Sequence, residues 1–184
     1  MTQMRLLVSS IPLALAGCLA GCASPAAPSS GCQFTGVYLL DITPASSCAA
    51  TGTGWFEVGT VQLRVIPAQS GSQWRFTLPN REVEPPTPVA NSGSLVVELT
   101  ITGTGATGTI GGWGLANNAF IAIVLRASAD NEGPGPATGL VTPGSRPTID
   151  GKVSGELRWS VYQSSTVAVC TAADHGFALR AAPT

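Results

Sequence analysis

The chain has 184 residues and few charges: Lys and Arg number 9, Asp and Glu 10, and charged residues make up 10% of the sequence. Typical soluble domains carry about 25%, and the basic residues here are scattered singly, so neither a nucleic-acid-binding face nor a polybasic membrane patch is expected. The hydrophobic fraction of 44% excludes a disordered chain.

The first part of the chain is typical of an export signal. Arg5 precedes the apolar run 6–17, which has the length of a signal-peptide core and is too short to span a membrane. The tetrapeptide Leu-Ala-Gly-Cys then occurs twice, ending at Cys18 and at Cys22. This arrangement resembles the lipobox of bacterial lipoproteins, which implies cleavage before a cysteine that carries acyl chains. Cys22 is the favoured lipidation site, because a Pro/Ser/Ala-rich stretch follows it, and Cys18 is the alternative. The competing interpretation of the whole segment is an ordinary secretory signal in which the cysteines occur by chance.

These observations divide the chain into a signal peptide (1–21), a lipidated tether (22–31) and one β-domain (32–184). From Cys32 onward, apolar and polar residues alternate with the period of half-buried strands. The alternation predicts a first strand with Phe34, Tyr38, Leu40 and Ile42 on one face, a hairpin from 61–65 and 74–78, and further strands at 95–101, 109–113, 120–126, 152–161, 166–170 and 177–180. The run 120–126 is almost wholly apolar and is predicted to be covered on both faces.

Loops are predicted at 80–93 and 129–148, and a turn of Asp174-His175-Gly176 is predicted to join the last two strands. No segment after the signal has helical apolar spacing. The sequence therefore predicts an all-β fold, an antiparallel barrel or sandwich of about eight or nine strands.

The cysteines permit one intramolecular disulfide if Cys22 is lipidated, because Cys32, Cys48 and Cys170 remain. A long strand from Cys32 to Ile42 would carry the chain too far for a short return to Cys48, so that pairing requires a short or bent first strand. If the first and last strands pair antiparallel, Cys48 and Cys170 lie at the same end of the domain. We therefore predict Cys48–Cys170. Cys32 is then either a small buried residue, which we favour, or a partner in an intermolecular disulfide.

Several residues that could carry chemistry favour a structural interpretation. Gly103 to Gly108 matches GxGxxG, but no helix can follow to receive a phosphate, so a glycine turn is expected. His175 is the single histidine and is predicted to be a turn residue. Glu98 and Glu156 are predicted on solvated faces, and the sequence does not place any two carboxylates at the separation that a paired-acid site requires. Asp130 and Glu132 lack the spacing of a calcium motif. No catalytic residue, metal site or cofactor is predicted.

The aromatic residues are the candidate ligand-binding groups. Tyr38, Trp74 and Trp159 could line a pocket for an apolar ligand, or could fill the core. The segment Phe34-Thr35-Gly36-Val37-Tyr38, together with Arg180 near the end of the chain, resembles the start of lipocalin-like and avidin-like barrels. That resemblance implies a cup for a small molecule, with the late arginine packed across the first strand.

The leading hypothesis is a lipid-anchored lipoprotein of the bacterial cell envelope whose non-catalytic domain binds a small apolar ligand or a protein partner, but no nucleic acid. The alternative is a structural or assembly lipoprotein without a ligand, with the loops 80–93 and 129–148 as its contact surface; an envelope hydrolase comes third. No aspartate follows Cys18 or Cys22, which resembles outer-membrane sorting in enterobacterial lipoproteins.

Overall fold

The fold is all-β, as predicted. The computed structural model describes residues 33–51, 59–79, 92–116, 121–161 and 167–183. Within these ranges, ten strands and one short 3-10 helix are formed, and the strands belong to one sheet. The predictions for Cys18, Cys22 and Cys32, for the signal and tether, and for the segment 80–91 lie outside the described residues.

The strands follow one another in chain order with the 3-10 helix, Ser46–Thr51, between the first two. They are β1 (Tyr38–Thr43), β2 (Val61–Ser70), β3 (Gln73–Thr77), β4 (Ser92–Gly93), β5 (Val96–Thr102), β6 (Gly105–Ala116), β7 (Ile121–Arg126), β8 (Gly135–Thr142), β9 (Thr148–Val161) and β10 (Ala168–Ala181).

The sheet is ring-like because its strand pairings return to their starting point. Antiparallel pairs run from β1 through β2, β3, β5, β6, β7, β9 and β10 and back to β1. β8 and β7 share the space between two long strands: β8 pairs with residues 105–110 of β6 and 148–153 of β9, and β7 with 112–116 and 156–161. Closing the sheet in this way removes most of the unpaired edges that an open sheet would expose.

One set of alternating side chains points into the ring and forms the core. Tyr38, Leu40 and Ile42 of β1 are fully buried, as predicted, and belong to the same hydrophobic cluster as the inward residues of the other long strands. Gly151 of β9 is part of this packing, because it lies opposite Phe177 of β10 and a Cβ on it would come within 2.6 Å of the Phe177 ring. The absence of a side chain at Gly151 therefore makes room for the phenyl ring.

Three local predictions were wrong: the loop at 129–148, the turn at 174–176 and the covering of both faces of the run 120–126. The predicted loop 129–148 contains β8, whose inward residues Ala137 and Val141 are buried but too small and too sparse to give a strong alternation signal. The predicted turn at Asp174-His175-Gly176 lies within the continuous strand β10, where an irregularity in register between Ala172 and His175 keeps the strand paired with β9.

The run 120–126 was predicted to be covered on both faces, and this is wrong for its described part, β7. In β7, Ile121, Ile123 and Leu125 are buried, whereas Val124 on the opposite face is 37% exposed. This exposed face is part of the surface described below.

Candidate functional site

One end of the ring is filled by aromatic side chains. The ring centroid of Phe34, which precedes β1, lies 5.4 Å from Tyr38, 4.9 Å from Trp74 and 5.3 Å from Phe76, and the Tyr38 and Phe76 centroids are 6.0 Å apart. All four residues are buried. Two of the three candidate pocket residues, Tyr38 and Trp74, therefore lie together, but they pack against other rings and form part of the core.

The Tyr38 hydroxyl is buried and has no hydrogen-bond partner among the described residues. Burial raises the pKa of this phenol, and the nearby positive charge of Arg146 opposes the rise. Arg146 itself donates to the backbone carbonyl oxygens of Ala182, at 2.9 Å, and of Val37, at 3.4 Å. The guanidinium thus joins the loop after β8 to both chain segments that flank this end of the ring.

Trp159, the third candidate pocket residue, lies towards the opposite end. Tyr38 pairs with Ala181 at the end of β10, whereas Trp159 pairs with Ala168 at its beginning. These two levels are about 40 Å apart along the strand. A single small pocket lined by Tyr38, Trp74 and Trp159 is therefore incompatible with the strand register.

Towards this second end of the ring, a chain segment is held by a disulfide and a histidine. Cys48 of the 3-10 helix and Cys170 of β10 form a disulfide with a Cα–Cα distance of 5.7 Å, the pairing expected from the sequence. The first strand begins at Tyr38 and pairs with the last strand, which is the arrangement from which that pairing was derived. Cys48, Cys170 and Ala45 form a second, small buried cluster.

His175 lies within β10 and is fully buried, so its interpretation as a turn residue was wrong. Its Nδ1 accepts a hydrogen bond from the Ala45 backbone N–H at 3.1 Å, and its Nε2 lies 3.2 Å from the Gly155 carbonyl oxygen. An acceptor at Nδ1 and a donor at Nε2 define the neutral imidazole. Desolvation lowers the pKa of His175, although the Gly155 carbonyl and Asp174 oppose this shift. The histidine therefore fastens the segment around Ala45 to the sheet.

Glu98 and Glu156 are too far apart to form a paired-acid site. Glu98 on β5 and Glu156 on β9 are separated by β6 and β7, which corresponds to about 14 Å or more across the sheet. Glycoside hydrolysis requires carboxyl groups roughly 5–9.5 Å apart. Within the described ranges, no group of three or more His, Cys, Asp or Glu side chains is placed to hold a metal ion.

Glu156 is buried on the outer face of the sheet, so the prediction of a solvated position was wrong. Its Oε1 accepts from Arg126 Nε at 2.9 Å and lies 2.8 Å from Arg126 Nη2, across the β7–β9 pair. The Arg126 side chain is itself only 14% exposed. Glu132, in the loop after β7, lies 3.8 Å from Arg126 but is almost fully exposed, so it contributes little to the pair.

Next to this ion pair, four residues form a straight row across the outer face. Trp113 of β6 pairs with Val124 of β7, Val124 with Arg158 of β9, and Arg158 with Val169 of β10. Residues directly opposite one another on neighbouring strands share a face, and every member of the row is at least 37% exposed. We call Trp113, Val124, Arg158 and Val169, together with the neighbouring Val167, the outer row. It crosses three interstrand spacings and is therefore about 14 Å long.

The outer row collects most of the exposed large apolar side chains. Among the described residues, six such side chains are exposed, and four of them, Trp113, Val124, Val167 and Val169, lie here. Because large apolar residues grouped on a polar surface mark interaction sites, the outer row is the best candidate functional site. The sequence analysis missed it because the apolar run containing Val124 was interpreted as a strand covered on both faces.

A shallow groove lies on the same side of the sheet, between the outer faces of β5 and β6 and the loop after β7. Its volume is about 250 Å³, and its lining includes Arg75, Glu98, Gly111, Glu132 and Pro134. Arg75 Nε lies 3.5 Å from Glu98 Oε1, and both side chains are well exposed. The groove therefore presents side chains of both charges on the outside of the sheet.

The resemblance to lipocalin-like barrels implied that Arg180 packs across the first strand. Arg180 lies opposite Leu39 of β1 and is half exposed, with its Nη2 donating to Asp150 at 2.7 Å and its Nε 3.9 Å from Asp41. These contacts form a surface ion-pair network between β1, β9 and β10.

Comparison with protein-family models, curated protein sequences and solved structures returns no match. None of the described segments forms a helix with the length and apolarity needed to cross a membrane.

Proposed function

We propose that this chain is a lipid-anchored protein of the bacterial cell envelope whose β-domain is a non-catalytic binding module for a protein partner. The observation that carries the proposal is the position of the exposed apolar residues, which gather in the outer row while the inward side chains pack against one another. The contact surface is then the outside of the ring.

The packing of the interior favours a protein partner over a small apolar ligand. A ligand cup needs an open cavity lined by convergent side chains. Here Phe34 packs between the rings of Tyr38, Trp74 and Phe76 at one end. At the other, the segment from Ala45 to Cys48 is fastened to the sheet by His175 and the disulfide.

The anchor is proposed from the sequence around Cys18 and Cys22. Residues 23–31 have a reach of at most about 30 Å, and they lead into the end of the ring at which β1 begins. The outer row lies towards the other end, because Val169 is about 40 Å along β10 from Ala181, which pairs with Tyr38. Such an arrangement would leave the outer row accessible to a partner in the envelope.

Site-specific photo-cross-linking in cells tests the binding role. A photoactivatable amino acid replaces Val124 in the outer row or, as a matched control, Leu140, an exposed apolar residue on β8. We expect a discrete cross-linked protein band from position 124 that is absent from position 140. Equal cross-linking from both positions would contradict the proposal, and so would a small hydrophobic molecule retained by the purified protein in native mass spectrometry.

Membrane fractionation tests the anchor. A Cys18→Ser/Cys22→Ser variant should lose lipid labelling and leave the membrane fraction, whereas either single variant shows which cysteine is used. Unchanged fractionation and labelling of the double variant would refute lipid anchoring without affecting the binding proposal.

A further inference from the structure

Arg158 gives the outer row an incompletely neutralised positive charge. Its Nε lies 3.5 Å from Glu156 Oε1, but this Nε is buried without a hydrogen-bond partner among the described residues. The same Glu156 oxygen is engaged by Arg126 at 2.8 and 2.9 Å. One buried carboxylate therefore faces two guanidinium groups, and the shorter contacts belong to Arg126.

The neighbours of Arg158 in the row cannot supply the missing acceptor. Val124 and Val169 flank it directly on the adjacent strands, and Trp113 lies beyond Val124. The Arg158 side chain remains 42% exposed. A guanidinium flanked by apolar side chains on the outside of the ring matches a carboxylate that is itself flanked by apolar groups, because the pair is shielded from water once the apolar surfaces meet.

We propose that the outer row recognises a protein segment in which an Asp or Glu side chain lies between apolar residues, with the carboxylate on Arg158 and the apolar residues on Trp113, Val124 and Val169. This inference rests on the proposed binding function and specifies its partner chemistry. The guanidinium offers a planar fork that holds a carboxylate through two parallel hydrogen bonds, so the contact fixes orientation as well as charge.

A lipid surface is a poorer occupant of the outer row. The row lies towards the end of the ring remote from the one at which β1 begins, and the proposed lipidated tether precedes β1 in the sequence. A second copy of the chain would place arginines near each other across a two-fold axis through the row, without the acidic group that Arg158 requires.

The test is a selection of random linear peptides on the full-length chain in detergent micelles, followed by direct binding of the selected peptides. We expect them to share an Asp or Glu flanked by apolar residues. Arg158→Glu should weaken their binding about tenfold. Lys152→Glu, a charge reversal on the same strand, should leave binding unchanged, because Lys152 is an exposed residue whose contact is Asp174 at 4.0 Å.

Arg158→Gln is the second variant, because a carboxylate next to Glu156 could destabilise the fold; the glutamine removes the charge without adding repulsion. Selected peptides that lack acidic residues would overturn the proposal, as would equal binding to wild type and Arg158→Gln. So would dimerisation that depends on the row, or flotation of the Cys18→Ser/Cys22→Ser chain with phosphatidylcholine–phosphatidylglycerol vesicles. Cross-linking from Val124 that is unaffected by Arg158→Gln would refute this inference alone, whereas absence of row-specific cross-linking would refute the binding function itself.

Discussion

Removal of the Cys48–Cys170 disulfide should lower the free energy of unfolding by about 5 kcal/mol. The two cysteines are 122 positions apart, and a cross-link of this span removes conformational entropy from the unfolded chain in proportion to the logarithm of the loop length. The loop-closure relation gives about 5 kcal/mol at 25 °C. A typical domain has only about 5–15 kcal/mol of net stability, so this one bond is a large fraction of the total.

Urea unfolding of the oxidised and the reduced protein, followed by tryptophan fluorescence, measures this effect. The reduced protein keeps both sulfur atoms, so the difference isolates the cross-link from the packing of Cys48, which is fully buried beside Ala45. A Cys48→Ala/Cys170→Ala variant should lose at least as much stability, because it also removes the buried sulfur atoms. A difference below about 1 kcal/mol between the oxidised and reduced proteins would refute the entropic argument.

Three further changes test the packing around the ring. His175 is neutral in the fold and its pKa is lowered there, so the unfolded state takes up the proton first as the pH falls. The free energy of unfolding should therefore decline below about pH 6.5. Urea midpoints measured across this range should show a shallower decline for His175→Gln than for the wild type. Gly151→Ala should cost about 1–3 kcal/mol, because the new methyl group would overlap both the Thr138 carbonyl oxygen and the facing Phe177 ring. Gly59→Ala, with open space around its Cβ, is the control, and equal melting temperatures of the two variants would contradict the packing argument. Arg126→Met should lower the free energy of unfolding by about 3–5 kcal/mol, because it leaves Glu156 buried with a weaker partner. Adding Glu156→Gln to this variant should restore part of the lost stability, as measured by urea unfolding. If the double variant is no more stable than Arg126→Met, the buried ion pair is wrongly assigned.

The alternation of apolar and polar residues was sufficient to predict the fold class and most strands. It works for β1, β2, β3 and β5 because large inward residues such as Leu40, Leu63 and Leu99 alternate with polar ones. The same reasoning placed the first strand beside the last, which led to the disulfide between Cys48 and Cys170. The local alternation of residues and the assumption that the first and last strands pair were therefore enough to predict this long-range disulfide.

The parts that could not be predicted depend on contacts between distant segments. β8 is a strand because β6 and β9 supply hydrogen bonds on both its sides, although its own side chains are small. His175 is buried because Ala45 and Gly155 satisfy both ring nitrogens, and neither partner is near it in sequence. Glu156 is buried because Arg126 lies directly across the β7–β9 pair.

The outer row shows why alternation alone cannot distinguish a buried apolar face from an exposed one in this chain. When both faces of a strand are apolar, as around Val124 and Val169, the sequence does not distinguish a strand buried on both sides from one that presents apolar residues to a partner. The structure makes the distinction, because Val124 is 37% and Val169 is 41% exposed. The row spans four hydrogen-bonded strands of a ring-like sheet, so the proposed partner would meet a backbone that is already ordered, and the entropic cost of binding would be correspondingly small.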